Sequence, residues 1–187
     1  MWEQLAEWDR KLFVFLNNLG VDDYDNFWIF ITQINHWIPL YLIFFGLFFY
    51  SFSWKKAILS ILFTLISLAA VVSFTQFVKI QVARLRPNNE PLLEDLIRVL
   101  QKPTNFSFFS GHAASSFAVT TFVVLVLRKK HPWVFAFYIW PVLFAMSRIF
   151  VGVHYPSDIL VGAGVGVSMA SLFYYFYKKT CLKLNYI

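Results

Sequence analysis

The chain has little of what soluble and secreted proteins usually contain. Its 187 residues include one cysteine, Cys181, which excludes an internal disulfide framework. Charged residues make up only 14% of the sequence, against roughly a quarter in soluble domains. No basic soluble segment is present, and we expect no nucleic-acid partner. A content of 59% hydrophobic and 21% aromatic residues indicates instead a membrane protein.

Charge is absent from four long stretches of the chain. Asp, Glu, Lys and Arg do not occur in residues 37–54, 57–78, 103–127 and 159–177. Each stretch is close to the ~20 residues that a spanning helix needs. A fifth stretch, 132–153, is interrupted only by Arg148 and can span if this side chain faces a polar interior. We therefore predict an all-α integral membrane protein, a bundle of about five transmembrane helices in a single domain, 1–187.

Two further segments show apolar side chains at helical spacing. In the N-terminal segment, 1–25, such residues recur from Trp2 to Leu19 with polar residues between them. Between the second and third spans, they recur from Leu92 to Leu100. We predict an amphipathic N-terminal helix and a short interfacial helix. Either helix could lie in the membrane interface or pack on the bundle.

The distribution of charge predicts the orientation in the membrane. With five spans, one side carries eight Lys and Arg residues and no acidic residue, whereas the other side carries all ten acidic residues and the remaining eight cations. Three of those eight, Lys79, Arg86 and Arg148, belong to the site considered next. Without them, the positive-inside rule puts the C-terminus in the cytoplasm and the site outside. Acidic residues near the N-terminus, in place of a basic segment, predict no signal peptide.

Three short strings bring ionisable side chains to the ends of the spans. They are Lys79 followed after six residues by Arg86-Pro87, then Ser110-Gly111-His112, then Ser147-Arg148 followed by His154 and Asp158. Ionisable groups are costly near hydrocarbon and therefore indicate a functional site. All three strings are predicted on the same membrane face. Together they supply three fixed cations, two histidines, a carboxylate and a hydroxyl, a set suited to holding and cleaving a phosphate ester.

Spacing within the strings suggests how the groups cooperate. Asp158 follows His154 by one helical turn, and a carboxylate that accepts one imidazole N–H leaves the other nitrogen as a basic lone pair. Ser110 is a good helix N-cap, and the N–H groups at a helix start bind anions. Arg84, by contrast, is expected to extend to lipid headgroups. Glycines 162 and 166 in the fifth span are expected to serve helix packing.

The strings resemble the motifs of the type 2 phosphatidic acid phosphatase (PAP2) family, K-x6-R-P, P-S-G-H and S-R-x5-H-x3-D. The first and third motifs match in full. The second departs at its first position, where Phe109 replaces Pro, and we expect a changed loop before the third helix with activity retained. The family core would cover roughly residues 55–178. The short chain is similar to the small bacterial members.

This resemblance implies a role for each residue of the strings. His154 would be the nucleophile that forms a phosphohistidine, Asp158 would orient it, and His112 would act first as general acid and then as base. The phosphate would be held by Lys79, Arg86, Ser110, Gly111 and Arg148. No metal or other cofactor is implied. The substrate would be a lipid phosphate of the bacterial inner membrane. Undecaprenyl diphosphate or a lipid A phosphate is favoured, and phosphatidylglycerol phosphate and phosphatidic acid also fit. Oligomeric state is not predicted.

Three other hypotheses use the same residues. An intramembrane serine hydrolase could use Ser110 and His154, but it would have no use for three cations. A zinc enzyme could use His112, His154 and Asp158, although zinc sites rarely lie among Lys and Arg. The alternative of a different class is a non-enzymatic transporter or lipid-binding bundle. Unwound helices paired across a repeat would support that reading, and the sequence shows none.

Overall fold

Helices account for the regular structure of the chain. A computed structural model describes residues 2–186. It contains seven α-helices: α1 Trp2–Asn17, α2 Asp25–Ile31, α3 Ile38–Ser51, α4 Trp54–Val82, α5 Gly111–Leu127, α6 Ile139–Phe150 and α7 Pro156–Lys183. Short 3-10 turns lie between several of them, the longest at Pro132–Tyr138 before α6. Between residues 2 and 186 there is no β-strand, and the predicted all-α class is confirmed.

Four helical stretches are long and apolar enough to cross a membrane. They are Ile34–Ser51, Trp54–Leu93, Pro132–Phe150 and Pro156–Lys183. The remaining predicted span contains α5, which has 17 residues and is shorter than the ~20 that a full crossing needs. The uncharged stretch 103–127 is therefore helical only from Gly111. Its first eight residues form a loop, and this loop contributes to the site described below.

Helix α5 is the centre of the bundle. It contacts α4, α6 and α7, and apolar side chains on all its faces are buried, among them Val119, Phe122 and Val123. A helix that is apolar all round is stable in such an enclosed position. Around it, α4 has 29 residues, or roughly 44 Å at 1.5 Å per residue. That length matches the whole thickness of a bilayer, about 40–45 Å with its headgroups.

Two glycines set the distance between α5 and α7. A Cβ atom on Gly162 would lie 2.6 Å from the carbonyl oxygen of Ser110, and one on Gly166 would come closer still to the carbonyl oxygen of Ala114. Only hydrogen fits at these positions, so the two backbones approach directly. The predicted packing role of Gly162 and Gly166 is confirmed.

The N-terminal helix α1 packs on the bundle with one face and exposes apolar side chains on another. Phe13 is fully buried, in a cluster with Leu93, Ile149 and Tyr155. Trp8, in contrast, is 65% exposed. The predicted amphipathic helix therefore forms. Its exposed apolar residues are available to the membrane interface, while the other face is part of the fold.

The segment after α4 forms less helix than its apolar spacing predicts. In place of a continuous interfacial helix over Leu92–Leu100, there is a 3-10 turn at Pro91–Leu93 followed by bends. The segment is fixed from outside instead, because the side chain of Asn17 at the end of α1 bonds both the N–H of Arg98, at 2.7 Å, and its carbonyl oxygen, at 3.1 Å.

Candidate active site

The three sequence strings meet at one end of the bundle. The side chains of Lys79, Arg86, Arg148, His154 and Asp158 are each 5% exposed or less. They come from the end of α4, the end of α6 and the start of α7. The loop 103–110 passes between them and leads into α5. The structure thus brings together the cationic and histidine residues that the sequence predicted as a site.

Backbone conformation at two residues directs the chain into this cluster. Ala83 ends α4 in the left-handed region, with φ +50°, and its N–H donates to the carbonyl of Lys79 at 3.0 Å. Gly152, with φ +82°, makes the turn from α6 to α7, and a Cβ there would lie 2.5 Å from the carbonyl oxygen of Arg98. After this turn the N–H of His154 returns to the carbonyl of Arg148, at 3.2 Å.

The ring of His154 is held from both of its nitrogens. Nε2 lies 3.0 Å from an amino group of Arg86, and Nδ1 lies 3.3 Å from Oδ2 of Asp158. Arginine can only donate, so Nε2 must be the acceptor and Nδ1 must carry the proton. The tautomer that leaves a basic lone pair on Nε2 is therefore the one that the neighbours select.

The environment of His154 also favours the neutral imidazole. Burial lowers the pKa of His154 well below its ordinary value of 6.5, and the positive charges of Arg86, Arg148, Lys79 and Arg84 lower it further. The lowered pKa favours the neutral imidazole, the form whose lone pair can act as a nucleophile.

The carboxylate of Asp158 accepts hydrogen bonds on both oxygens. Oδ2 accepts hydrogen bonds from Nδ1–H of His154, from the hydroxyl of Ser107 and from the N–H of Tyr155, the last at 3.0 Å. Oδ1 receives an amino group of Arg84 at 2.9 Å. Because Asp158 lies in the first turn of α7, its bond to the Tyr155 N–H also caps that helix.

The loop 103–110 holds two of the three fixed cations. Lys79 donates through Nζ to the carbonyl oxygens of Phe106 and Ser107, at 2.6 and 2.9 Å. Arg86 donates through Nε to the carbonyl of Asn105, at 2.8 Å, and through a terminal nitrogen to the side-chain oxygen of the same residue, also at 2.8 Å. The loop therefore supplies neutral oxygens, not carboxylates, to these two cations.

The third cation, Arg148, borders a cavity of about 340 Å³ on the other side of the cluster. One of its amino groups donates to the hydroxyl of Thr32 and, at 3.0 Å, to the side-chain oxygen of Gln101. Its Nε–H is buried and has no hydrogen-bond partner among the described residues. His112 borders the same cavity, with its ring 4.9 Å from that of Phe144. A buried guanidinium N–H without a partner among residues 2–186 is a donor that an anion could satisfy.

The start of α5 lies next to Asp158. The Ser110 hydroxyl accepts the N–H of Ala113 at 3.4 Å and so caps the helix, while the Ser110 N–H donates to the carbonyl of Asp158 at 3.0 Å. The N–H of Gly111 makes no hydrogen bond within residues 2–186. The first N–H groups of a helix are available to an anion when they have no partner.

Arg84 makes contacts that its sequence position did not predict. Its predicted contact with lipid headgroups is wrong. The guanidinium donates to Asp158, donates at 2.7 Å to Asp9 of α1, and lies 3.8 Å from the ring of Tyr155. A signal was available, because Arg84 and Arg86 lie two apart after α4 ends, and alternate residues of an extended chain point to the same side. Asp9 had no comparable signal.

Two of the competing hypotheses find little support in this geometry. No cluster of three His, Cys, Asp or Glu side chains that could hold a metal ion occurs within the described part of the chain, so the zinc hypothesis lacks a ligand set there. A serine nucleophile would require a hydrogen bond from its hydroxyl to the base, here His154. The Ser110 hydroxyl instead accepts the N–H of Ala113 and forms no hydrogen bond with His154.

The fold defines an all-helical membrane protein, and the cluster defines a buried histidine site surrounded by cations. The model of the PAP2 superfamily matches residues 57–181, and the chain belongs to this family. The predicted family and enzyme class, a PAP2-type phosphatase, are confirmed.

Individual relatives agree with this assignment. A lipid A 4′-phosphatase of Bacteroides thetaiotaomicron is 30% identical over 194 residues, which cover 99% of this chain and 84% of the relative. The crystal structure of a PAP2-type phosphatidylglycerolphosphate phosphatase from Bacillus subtilis has a TM-score of 0.75 at 20% identity, covering 94% and 87% of the two chains. That of Aquifex aeolicus LpxE has a TM-score of 0.62 at 27% identity, covering 87% and 92%.

Proposed function

We propose that this protein is a membrane lipid phosphatase that hydrolyses a phosphomonoester or diphosphate of a lipid through a phosphohistidine on His154. The observation that carries the proposal is the ring of His154, held between the carboxylate of Asp158 and the guanidinium of Arg86. The carboxylate fixes the tautomer, and the guanidinium marks the position of a phosphate oxygen next to the Nε2 lone pair. A phosphate oxygen that accepts the Arg86 N–H would leave this lone pair directed at phosphorus.

Phosphoryl transfer requires mainly positioning and the stabilisation of charge. Lys79, Arg86 and Arg148 together supply three positive charges, and the orphan Nε–H of Arg148 and the free N–H of Gly111 supply donors. The Ser110 hydroxyl contributes a further hydrogen bond if it turns from the helix cap to the substrate. These groups would do the work that divalent ions do in other phosphatases.

The reaction then has two steps. Nε2 of His154 attacks phosphorus, the bond from phosphorus to the lipid oxygen breaks, and that oxygen takes a proton from His112. In the second step His112 takes a proton from water, the water oxygen attacks phosphorus, and the bond to Nε2 breaks. His112 borders the cavity beside Arg148, where a leaving group and then a water can enter.

Arg84 and Asp9 lie behind the His154–Asp158 pair and contact it through Asp158. Asp9 also accepts the N–H of Ser157, at 2.9 Å, at the start of α7. Contacts thus run from Asp9 of α1 to Arg84, from Arg84 to Asp158, and from Asp158 to His154. We assign Arg84 as a positioning residue, because it contacts the carboxylate that orients the nucleophile and does not contact His154.

The substrate that we propose is a phosphate of lipid A. The support is the similarity to a lipid A 4′-phosphatase over 99% of the chain. Undecaprenyl diphosphate, favoured equally by the sequence, is the first competitor, followed by phosphatidylglycerol phosphate and phosphatidic acid. We further propose that residues 55–178 form the catalytic core of a single domain, in a bacterial inner membrane, with the site facing the periplasm and the C-terminus in the cytoplasm.

The covalent step provides the test. Purified protein is mixed with labelled substrate, quenched rapidly and assayed for base-stable, acid-labile phosphate. Wild type should form it transiently, His154→Ala should form none, and His112→Ala should accumulate it from a substrate with a good leaving group, since water is no longer activated. Label on His154→Ala but not on wild type would overturn the assignment. To identify the substrate, hydrolysis of the four lipids is compared in the presence of EDTA. Activity that requires added metal would contradict the proposed chemistry.

A further inference from the structure

The end of the bundle opposite the candidate active site carries cations without acidic partners. It is formed by the start of α4, the end of α5 and the end of α7, and the two ends of α4 lie roughly 44 Å apart. None of the ion pairs in the described structure involves a cation of this basic end. Its members are Lys55, Lys56, Arg128, Lys129, Lys130, Lys178, Lys179 and Lys183.

Two adjoining cavities of different character open at the basic end. One, of about 420 Å³, has apolar and aromatic walls that include Val126, Tyr177 and Leu182. The other, of about 410 Å³, is lined mainly by polar residues, among them Ser51 and Asn185. The two cavities share three residues at their boundary, which are Phe52, Lys56 and Lys130.

The boundary concentrates positive charge. The ammonium groups of Lys56 and Lys130 lie 4.7 and 4.9 Å from the centre of the same ring, that of Phe52. The ring attracts each cation, but the two cations repel one another, and neither forms an ion pair with a carboxylate of residues 2–186. An anionic group seated between them would neutralise the pair.

We propose that this pair of cavities binds one anionic phospholipid from the membrane leaflet at the basic end. The phosphate lies between Lys56 and Lys130, a small hydroxyl-bearing headgroup enters the polar cavity, and the start of an acyl chain enters the apolar one. Phosphatidylglycerol has these three parts. The site is separate from the candidate active site and does not depend on the proposed function, since the lipid is bound there and not cleaved.

The single cysteine of the chain provides a direct reporter. Cys181 is 6% exposed and lines the apolar cavity, so a bound acyl chain should slow its reaction with a thiol reagent. The wild-type protein is placed in phosphatidylcholine nanodiscs with and without phosphatidylglycerol. We expect phosphatidylglycerol to protect Cys181 in a concentration-dependent way, whereas soluble glycerol 3-phosphate should give no protection. Equal protection by glycerol 3-phosphate would show that the ligand is a soluble phosphate and would overturn the lipid proposal.

Matched variants separate this site from general attraction of the basic end to anionic lipid. Lys56→Gln with Lys130→Gln removes the two boundary charges, and Lys55→Gln with Lys179→Gln removes two charges outside both cavities. Two lysines close to an anionic lipid account for about a thirtyfold change in affinity. We expect that loss for the boundary pair and less than about a twofold change for the control pair. Equal losses in both pairs, or no protection of Cys181 in wild type, would refute the site. Native mass spectrometry of the same proteins counts the retained lipid and gives a second, independent readout.

Discussion

Replacing Arg84 with alanine tests the proposal that this residue positions the carboxylate of Asp158. The change removes the 2.9 Å ion pair to Oδ1 of Asp158 and the 2.7 Å pair to Asp9. Breaking a fully buried pair costs about 3–5 kcal/mol, but the Arg84 side chain is 24% exposed, so water replaces part of the interaction. We therefore expect the free energy of unfolding to fall by about 2 kcal/mol.

We expect kcat to fall by about 10- to 100-fold, as it does when a group that orients a histidine through another residue is removed. KM should change little, because Arg84 contacts Asp158 and is not among the residues proposed to hold the phosphate. Arg84→Lys should recover part of the rate, since one ammonium group can pair with Asp158 but cannot also span to Asp9. The assay is steady-state hydrolysis of the lipid substrate by purified protein, with thermal unfolding in detergent measured alongside.

Arg98→Ala is the matched control. The Arg98 side chain is also 24% exposed and also pairs with two aspartates, Asp22 and Asp25, on the same side of the bundle. It has no contact with Asp158 or His154. Arg98→Ala should lower thermal stability by less than Arg84→Ala, because its partner Asp22 is 96% exposed, and it should leave kcat within about twofold of wild type. If the two variants lost the same activity, or if kcat of Arg84→Ala stayed at the wild-type level, the positioning role would be refuted.

Three further predictions follow from the site. Arg148→Gln should lower kcat by about 10²-fold, as removal of one preorganised donor does; a drop of less than tenfold in steady-state assays would remove Arg148 from the transition state. Because the His154 pKa lies well below 6.5 and attack needs the neutral ring, kcat/KM should not fall between pH 7.5 and 6.5, and its acidic limb should lie lower; a limb centred at or above pH 6.5 would contradict the described environment. Gly152→Ala should unfold at a clearly lower temperature than wild type and lose activity, because its Cβ would meet the Arg98 carbonyl at 2.5 Å; a folded, active variant would show that the turn is adaptable.

Patterns that depend on local chemistry could be predicted from the sequence. The spans follow from uncharged stretches, and the α5–α7 contact follows from the small residues at 162 and 166. The meeting of the three strings could also be predicted, because helix ends on one membrane face are forced together. The spacing of His154 and Asp158 indicated their contact, which the structure shows at 3.3 Å.

Contacts made by irregular backbone segments could not be predicted from charge pattern or residue spacing. The loop 103–110 carries no charge and reads as part of a span, yet its carbonyl groups hold Lys79 and Arg86. Thr32 and Gln101 reach Arg148 from distant, non-helical segments with no periodicity to predict them. Asp9 is an ordinary polar residue of an amphipathic helix until the tertiary fold brings Arg84 to it.

The glycine contacts between α5 and α7 determine which wall of the site can change. Carbonyl groups at the start of α5 lie directly against Gly162 and Gly166 of α7, so a larger side chain at either glycine would push the two helices apart. The opposite wall consists of residues 32–35 and Gln101 around the cavity. Two of its residues, Thr32 and Gln101, accept hydrogen bonds from Arg148, whereas the side chains of residues 33–35 form none with it. We therefore expect substitutions at residues 33–35 to change which lipid is accepted while the packing of α5 and α7 stays the same.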